Sequence, residues 1–372
     1  MHYVDDYNAV EPAASAASGF TSFEEFNALL GFRVKPSKRQ PPAHTHVIQG
    51  VQVTLAKDGI VFDPKASRVA AMDHDIGRAL QAARLTPTCA GRMAGKTGFM
   101  CTTVFGRIGR AMIKPLFARQ HARRYASGLD APLRSGLHAL LDIFHTAPPR
   151  RLPFQAPAST PVLYADAFFE LGGVAWRPGQ QEQLPPSWSS TWPARLINGW
   201  GFVLRPAAGA GMLYAHGAVP PQLLERFAAR KAYIFLLEAV AQLLPLLMFP
   251  DVLRGPFWAF IDNDAARHAL AKGYSGNVAA NAFVSAYWCA AAAAGSAPWF
   301  ERVASKANLS DAVSRGDFAQ AQKLGWRRVH FDLAATWGRL TAMVESGTFE
   351  VGHTVKAVLA DLAAQRRAQG FT

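Results

Sequence analysis

Residues 161–175 read PVLYADAFFELGGVA, and the fold of the larger part of the chain turns on them. The run is apolar enough to cross a core as a strand, and one carboxylate, Asp166, interrupts it. Two further short apolar stretches, residues 200–204 and 212–219, are flanked by glycine and predict the strands of an antiparallel hairpin. Residues 222–248 follow with helical periodicity: Leu223, Phe227, Tyr233, Leu236, Leu237, Val240 and Leu244 recur on one face. Glu238 lies inside that apolar field. Residues 257–261 predict a fourth strand ending at Asp262, and Asn263 or Asp264 can cap the helix that follows. A helix over 278–294, a fifth strand over 299–303 and a last helix over 308–321 complete the order β-β-β-α-β-α-β-α. Asp311 sits near the start of that last helix.

Four carboxylates therefore recur at structural joints: mid-strand, inside a buried helix, at a strand end and at a helix start. A buried carboxylate is costly unless it is paired or bound to metal. Capping explains an acid at a strand end or a helix start, but not Asp166 or Glu238. Hard oxygen ligands converging on one place suit divalent cations. Two such ions can activate a water and stabilise the leaving oxygen of a phosphodiester.

The 372 residues are comfortable for two or three domains, and with 50% hydrophobic and 11% aromatic residues the chain is not generally disordered. Only 17% of residues are charged, yet the net charge is +13, which points to a polyanionic partner. The charge is uneven. Residues 1–64 hold five Lys/Arg against seven Asp/Glu, residues 65–155 hold fifteen against four, and residues 156–372 hold nineteen against fifteen. The middle segment keeps apolar residues among its cations: Arg107, Arg110, Lys114, Arg119, Arg123 and Arg124 lie between Phe105, Ile108, Met112, Leu116 and Phe117. That mixture predicts helices with one packed face and one cationic, phosphate-binding face.

Residues 146–161 hold five prolines in sixteen positions and read as an extended linker; residues 178–193 hold four and read as a loop insertion. Three widely spaced cysteines (Cys89, Cys101, Cys289) fit neither a disulfide framework nor a zinc cluster, so a reducing compartment is expected. Residues 1–10 are polar and carry Asp5 and Asp6, unlike a secretory signal. The most apolar stretch, residues 232–250, contains Glu238, Gln242 and Pro245 and reads as a buried helix rather than a membrane span. Gly95-Lys96-Thr97 suggests a phosphate loop, but position 90, which would need glycine, is Ala90, and no apolar strand precedes it.

With those residues in hand, 160–320 resembles the ribonuclease H domain of a retroelement. YADA at 164–167, LLEA at 236–239, FIDNDAA at 260–266 and ANLSDAVSR at 307–315 resemble that family's successive acidic motifs. The last, with Asn308 before Asp311 and Ser314-Arg315 after it, resembles the version in tyrosine-recombinase and related LTR-type retrotransposons. The resemblance implies an α/β (α+β) fold, a mixed five-stranded sheet flanked by helices. Asp166, Glu238, Asp262 and Asp311 would be catalytic ligands of two Mg²⁺ ions, with Mn²⁺ able to replace them. Two departures stand out. The Asp166–Glu238 spacing is long, which the 178–193 insertion absorbs, and the loop before Asp311 lacks the histidine many members use for product release; Lys306 and Glu301 are nearby, and neither is an obvious replacement.

The front of the chain resembles the end of a reverse transcriptase. Tyr3-Val4-Asp5-Asp6 is similar to the YxDD hairpin, LGFRVKPSKRQ at 30–40 to a palm segment, VIQGVQV at 47–53 to the hairpin that grips the primer, and residues 84–120 to the thumb and connection. The expected division is a truncated palm at 1–64, a basic helical thumb or connection at 65–155, a ribonuclease H-like domain at 156–321 and a helical extension at 322–372. Asp5 and Asp6 would be polymerase metal ligands, but the third carboxylate, the earlier palm and the fingers would lie upstream in the same polyprotein, so this chain alone is not expected to polymerise DNA. The expected activity is cleavage of the RNA strand of RNA–DNA hybrids; the alternatives are a catalytically inactive nucleic-acid-binding fragment and a nuclease acting on DNA junctions. The partner is a nucleic acid duplex and not a membrane, and the location is intracellular, cytoplasm or nucleus, without secretion.

Overall fold

The computed structural model describes residues 8–32, 35–103, 106–123, 126–155, 159–171, 174–175, 196–207, 211–220, 223–224, 233–276, 278–346 and 351–371. Asp5, Asp6, Arg124 and the 178–193 insertion lie outside the described residues.

After helix α1 (Ala16–Leu29), strands β1 (Thr45–Ile48), β2 (Val51–Ala56) and β3 (Gly59–Pro64) form an antiparallel meander. The β1–β2 turn is Gln49-Gly50, both at positive φ (50° and 81°), as a two-residue hairpin with native twist requires. A fourth strand, β4 (Arg150–Pro153), pairs with β3, and Arg151 meets Asp58 at 2.8 Å. The start of the proline-rich segment is thus a sheet edge rather than free linker. Proline tolerates that place because an edge strand can spare a donor.

Between β3 and β4 run α2 (Ala66–Gln81), α3 (Pro87–Thr103), α4 (Arg110–Gln120) and α5 (Ala131–Thr146). In α5, Asp130 caps the Leu133 amide at 2.9 Å, and Leu133, Leu137, Leu140 and Phe144 form the buried stripe. Gly95-Lys96-Thr97 lies within α3, where the buried Thr97 hydroxyl donates to the Met93 carbonyl, so its backbone amides are committed to the helix.

The second sheet is mixed, in the order β10-β9-β5-β7-β8-β11. β5 (Val162–Leu171), β7 (Leu196–Arg205) and β8 (Leu213–Gly217) are antiparallel, and the short β6 (Val174–Ala175) folds back on β5. β9 (Gly255–Ile261) runs parallel to β5, and β10 (Ser296–Arg302) parallel to β9. Helix α6 (Tyr233–Met248) buries Leu236, Leu237, Val240, Leu244 and Leu247 beneath the sheet, alongside α8 (Val278–Ala294). Two helices, not one, separate β9 from β10. Asn263 caps α7 (Asp264–Lys272), and Gly273 at φ 79° ends it before α8 begins.

The expected continuous helix over 308–321 is broken. One turn, α9 (Asp311–Ser314), stops at Gly316 (φ 79°), and α10 (Ala319–Lys323) restarts at a new angle. The break lets Val313, Phe318 and Ala321 pack on Val203 and Tyr214 of β7 and β8. The extension also departs from its helical spacing at Trp326: Arg327–Arg328 (β11) pair parallel with the otherwise open edge of β8. Helix α11 starts only at Ala334 (Ala334–Ser346). Helix α12 (Val351–Ala368) buries Val351, Val355, Val358 and Leu362 against α6 and α8.

One apolar cluster runs from Met112, Leu116 and Leu140 through Val284 and Leu247 to Val358. The step in charge at residue 155 is therefore not a gap in the core. No described helix is long and apolar enough to cross a membrane.

Candidate metal centre

β5 and β9 pair only from Val162↔Trp258 to Tyr164↔Phe260, then part. The chain thus opens a crevice at the carboxyl ends of two parallel strands, where α/β sheets place ligands. Asp166 stands on β5 just past the last pair, and Asp262 is the first residue beyond β9. From below, α6 presents Glu238 and, one turn later, Gln242. The Gln242 amide donates to the Phe260 carbonyl at 3.1 Å and reaches the Ala165 carbonyl at 3.5 Å, bridging the strands where their own hydrogen bonds stop.

One carboxylate oxygen each from Asp166, Glu238 and Asp262 lie within 4.8 Å of one another. Asp166 and Glu238 are each 2% exposed. Burial, and then the charge of Asp262, push the Asp166 carboxyl up to about 7, against a hydrogen bond from Ser314 that lowers it. Burial and the charges of Asp166 and Asp262 raise Glu238 well above the ordinary carboxylate range. Asp262 is also raised, chiefly by burial, while the Ser305 side chain hydrogen-bonds it and opposes the rise. Among the described residues, Glu238 Oε2 is buried with no hydrogen-bond partner. Three mutually repelling acids with an orphaned oxygen are unfavourable alone, and a divalent cation supplies the missing charge and partner.

The expected fourth ligand, Asp311, is placed at the rim. Its side chain is half-exposed and pairs with Arg315 at 3.4 Å, but its charge still raises Asp166, Glu238 and Asp262. Its segment is tied to the centre by side chains. Asn308 Nδ2 donates to Asp166 Oδ1 at 3.2 Å, and the Ser314 hydroxyl donates to Asp166 Oδ2 at 2.7 Å. Gly199 and Gly201 on β7 permit this approach, since a Cβ at either position would collide with the Ser314 backbone.

The basic residues are placed differently. Arg110 donates to the Lys272 carbonyl at 2.9 Å, at the carboxyl end of α7. Lys114 donates to the Ser275 carbonyl and lies 4.9 Å over the Tyr274 ring; Arg107 lies 5.5 Å over Trp288. Arg119 is buried, donating to the Gly128 carbonyl and standing 3.6 Å from Asp130. It is committed to the fold and is not part of a phosphate-binding face. Arg123 is exposed, and Arg124 is outside the described residues.

Gln242 and the two glycines of β7 escaped the sequence reading. Gln242 had a visible signal, as a polar residue four positions after Glu238 in an apolar helix. No family model matches this chain, and no curated protein matches it.

Proposed function

We propose that residues 156–321 form a ribonuclease H-like nuclease that hydrolyses the RNA strand of RNA–DNA hybrids with two divalent cations, Mg²⁺ in the cell. On this reading the preceding residues derive from the end of a retroelement reverse transcriptase. The observation that carries the proposal is the buried Asp166–Glu238–Asp262 cluster, with ligand oxygens within 4.8 Å and one Glu238 oxygen unpartnered. Further support comes from the fold. β5, β7, β8, β9 and β10, with the short β6 and β11, build one mixed sheet flanked by helices, and Asp166, Glu238 and Asp262 meet where β5 and β9 part, which supports this reading.

When bound, the two ions supply an activated water and a stabilised leaving oxygen. The chain's own part is positioning. Asn308 and Ser314 fix both oxygens of Asp166, Ser305 holds Asp262, and Gln242 sets the gap that Glu238 enters. Asp166, titrating near 7 without a cation, must lose its proton to become a ligand, so cation affinity rises with pH across neutrality. Asp311, at the rim and paired with Arg315, would help hold the second ion.

The test is incubation of the chain with a labelled RNA–DNA hybrid, with Mg²⁺ or Mn²⁺ and with chelator. Cation-dependent cutting of the RNA strand is expected. Hybrid binding without cutting under either metal overturns the enzyme reading in favour of a binding module, and cutting of DNA duplexes without RNA assigns a different substrate.

A further inference from the structure

The face of the second sheet that carries Asp166 and Asp262 is covered by α9 and α10 over β8, β7 and the Asp166 end of β5. Over β9 and β10 it is exposed and aromatic, with Val162 and Tyr164 of β5 half-buried beside it. In-register pairing sets its side chains in rows. Val162, Trp258 and Trp299 form one row, and Tyr164, Phe260 and Glu301 form the next. Asp166 and Asp262 continue the same alternation one row further on. Tyr164 and Phe260 stack on each other with ring centroids 4.8 Å apart, and Trp258 meets Trp299 edge to face at 6.2 Å. Trp258 is 41% exposed and Trp299 62%, and a cleft of about 530 Å³ runs from Trp258 past Tyr164 and Phe260 to Arg205. The Arg205 side chain pairs with no carboxylate among the described residues. Trp299 donates to Glu301 at 3.4 Å, the one acid in the two rows.

We infer that this surface is a stacking platform for a short single-stranded stretch of nucleic acid, its bases on the exposed indoles of Trp258 and Trp299, backed by the Tyr164–Phe260 stack, and a phosphate on Arg205. Exposed indoles in soluble proteins mark contact sites, and ring faces beside an unpaired guanidinium suit bases joined by phosphates. Continuity favours this occupant over a protein. From Trp258 to Asp262 is four residues, about 13 Å along the strand, so a strand whose phosphate lies at the carboxylates reaches the platform within a few nucleotides. The chain's +13 charge favours a polyanion as well. This continuity argument rests on the nuclease reading, whereas the stacking does not require cleavage.

The experiment is fluorescence anisotropy of labelled eight-nucleotide single-stranded DNA and RNA in chelator, with the full chain. The Trp258→Ala/Trp299→Ala variant is expected to lose about tenfold or more in affinity, and Arg205→Ala a smaller factor with a flatter salt dependence. Trp299→Ala alone, at the more exposed position, is the second variant should the double one misfold as judged by circular dichroism. Because the measurement is made in chelator, tryptophan-dependent binding is read whether or not the chain cuts hybrids, which separates this result from failure of the nuclease reading. Unchanged oligonucleotide affinity in a folded Trp299→Ala or double variant overturns the inference. So does loss of wild-type self-association in those variants without an affinity change, which assigns the patch to protein contact.

Discussion

The two charged regions of this molecule meet at opposite ends of α7 and are built on opposite logic. At its amino end, Asp166, Glu238 and Asp262 are buried beside one another, each raised in pKa by burial and by its neighbours. At its carboxyl end, Arg107, Arg110 and Lys114 of the α4 segment face carbonyl oxygens and aromatic rings that satisfy them. The cations cost the fold little and join two parts of it. The acids cost the fold stability, and the hydrogen bonds that Asn308, Ser314 and Ser305 give them only partly offset their burial. Unfavourable burial that the structure tolerates marks function, and satisfied charge marks architecture.

The strongest way to break this contrast is Asp262→Asn. Hybrid cutting should be abolished while hybrid binding, read by anisotropy in chelator, is retained. At pH 8 without metal the variant should melt above wild type, because the charge that raises Asp166 and Glu238 is gone; a variant that cuts normally removes Asp262 from the mechanism. Ser314→Ala should weaken Mn²⁺ affinity by about 10- to 100-fold, as loss of a residue that orients a ligand does, with calorimetric titration as the measure. The same titration should leave Arg123→Ala unchanged.

A smaller effect sharpens the basic side. Arg119→Ala removes a buried charged hydrogen bond to Gly128 and should cost about 2–3 kcal/mol of stability in urea unfolding. Arg123→Ala should stay within about 0.5 kcal/mol of wild type. Equal effects would erase the distinction between the two arginines.

The pH dependence follows from the raised carboxyls. In the folded chain Asp166 holds its proton up to about 7, against an ordinary carboxylate range near 4 when unfolded. The folded state therefore binds more protons between those values, and stability without metal falls as pH rises from about 4 to 7. Melting temperature in chelator should drop between pH 5 and pH 8, and added Mg²⁺ should recover it at pH 8 far more than at pH 5. A profile that rises with pH would show that these acids are ionised and satisfied within the protein.

Much of this was legible in the residues because it is local. The apolar run around Asp166, the apolar stripe around Glu238 and the cap at Asn263 or Asp264 each follow from a few neighbouring side chains, and the structure contains those elements, with Asn263 as the cap. The break at Gly316 and the strand at Arg327–Arg328 were not legible, because helical spacing continues through both in the sequence. Packing on β7 and an open edge on β8 decided them. The basic segment misled in a similar way. Its charges are plain in the chain, but whether a cation faces solvent or a carbonyl depends on an element about 160 positions away in the case of Arg110 and Lys272.

The sequence by itself determined which acids could matter, since Asp166 interrupts an apolar strand and Glu238 an apolar helix stripe. Only the tertiary structure decided that three of them meet. Their convergence depends on β5 and β9 parting after Tyr164 and Phe260, on Gln242 spanning that gap, and on glycines at 199 and 201 letting the Asp311 turn close over it. Those are distances between segments far apart in the chain, and no local pattern of side chains encodes a distance across a sheet.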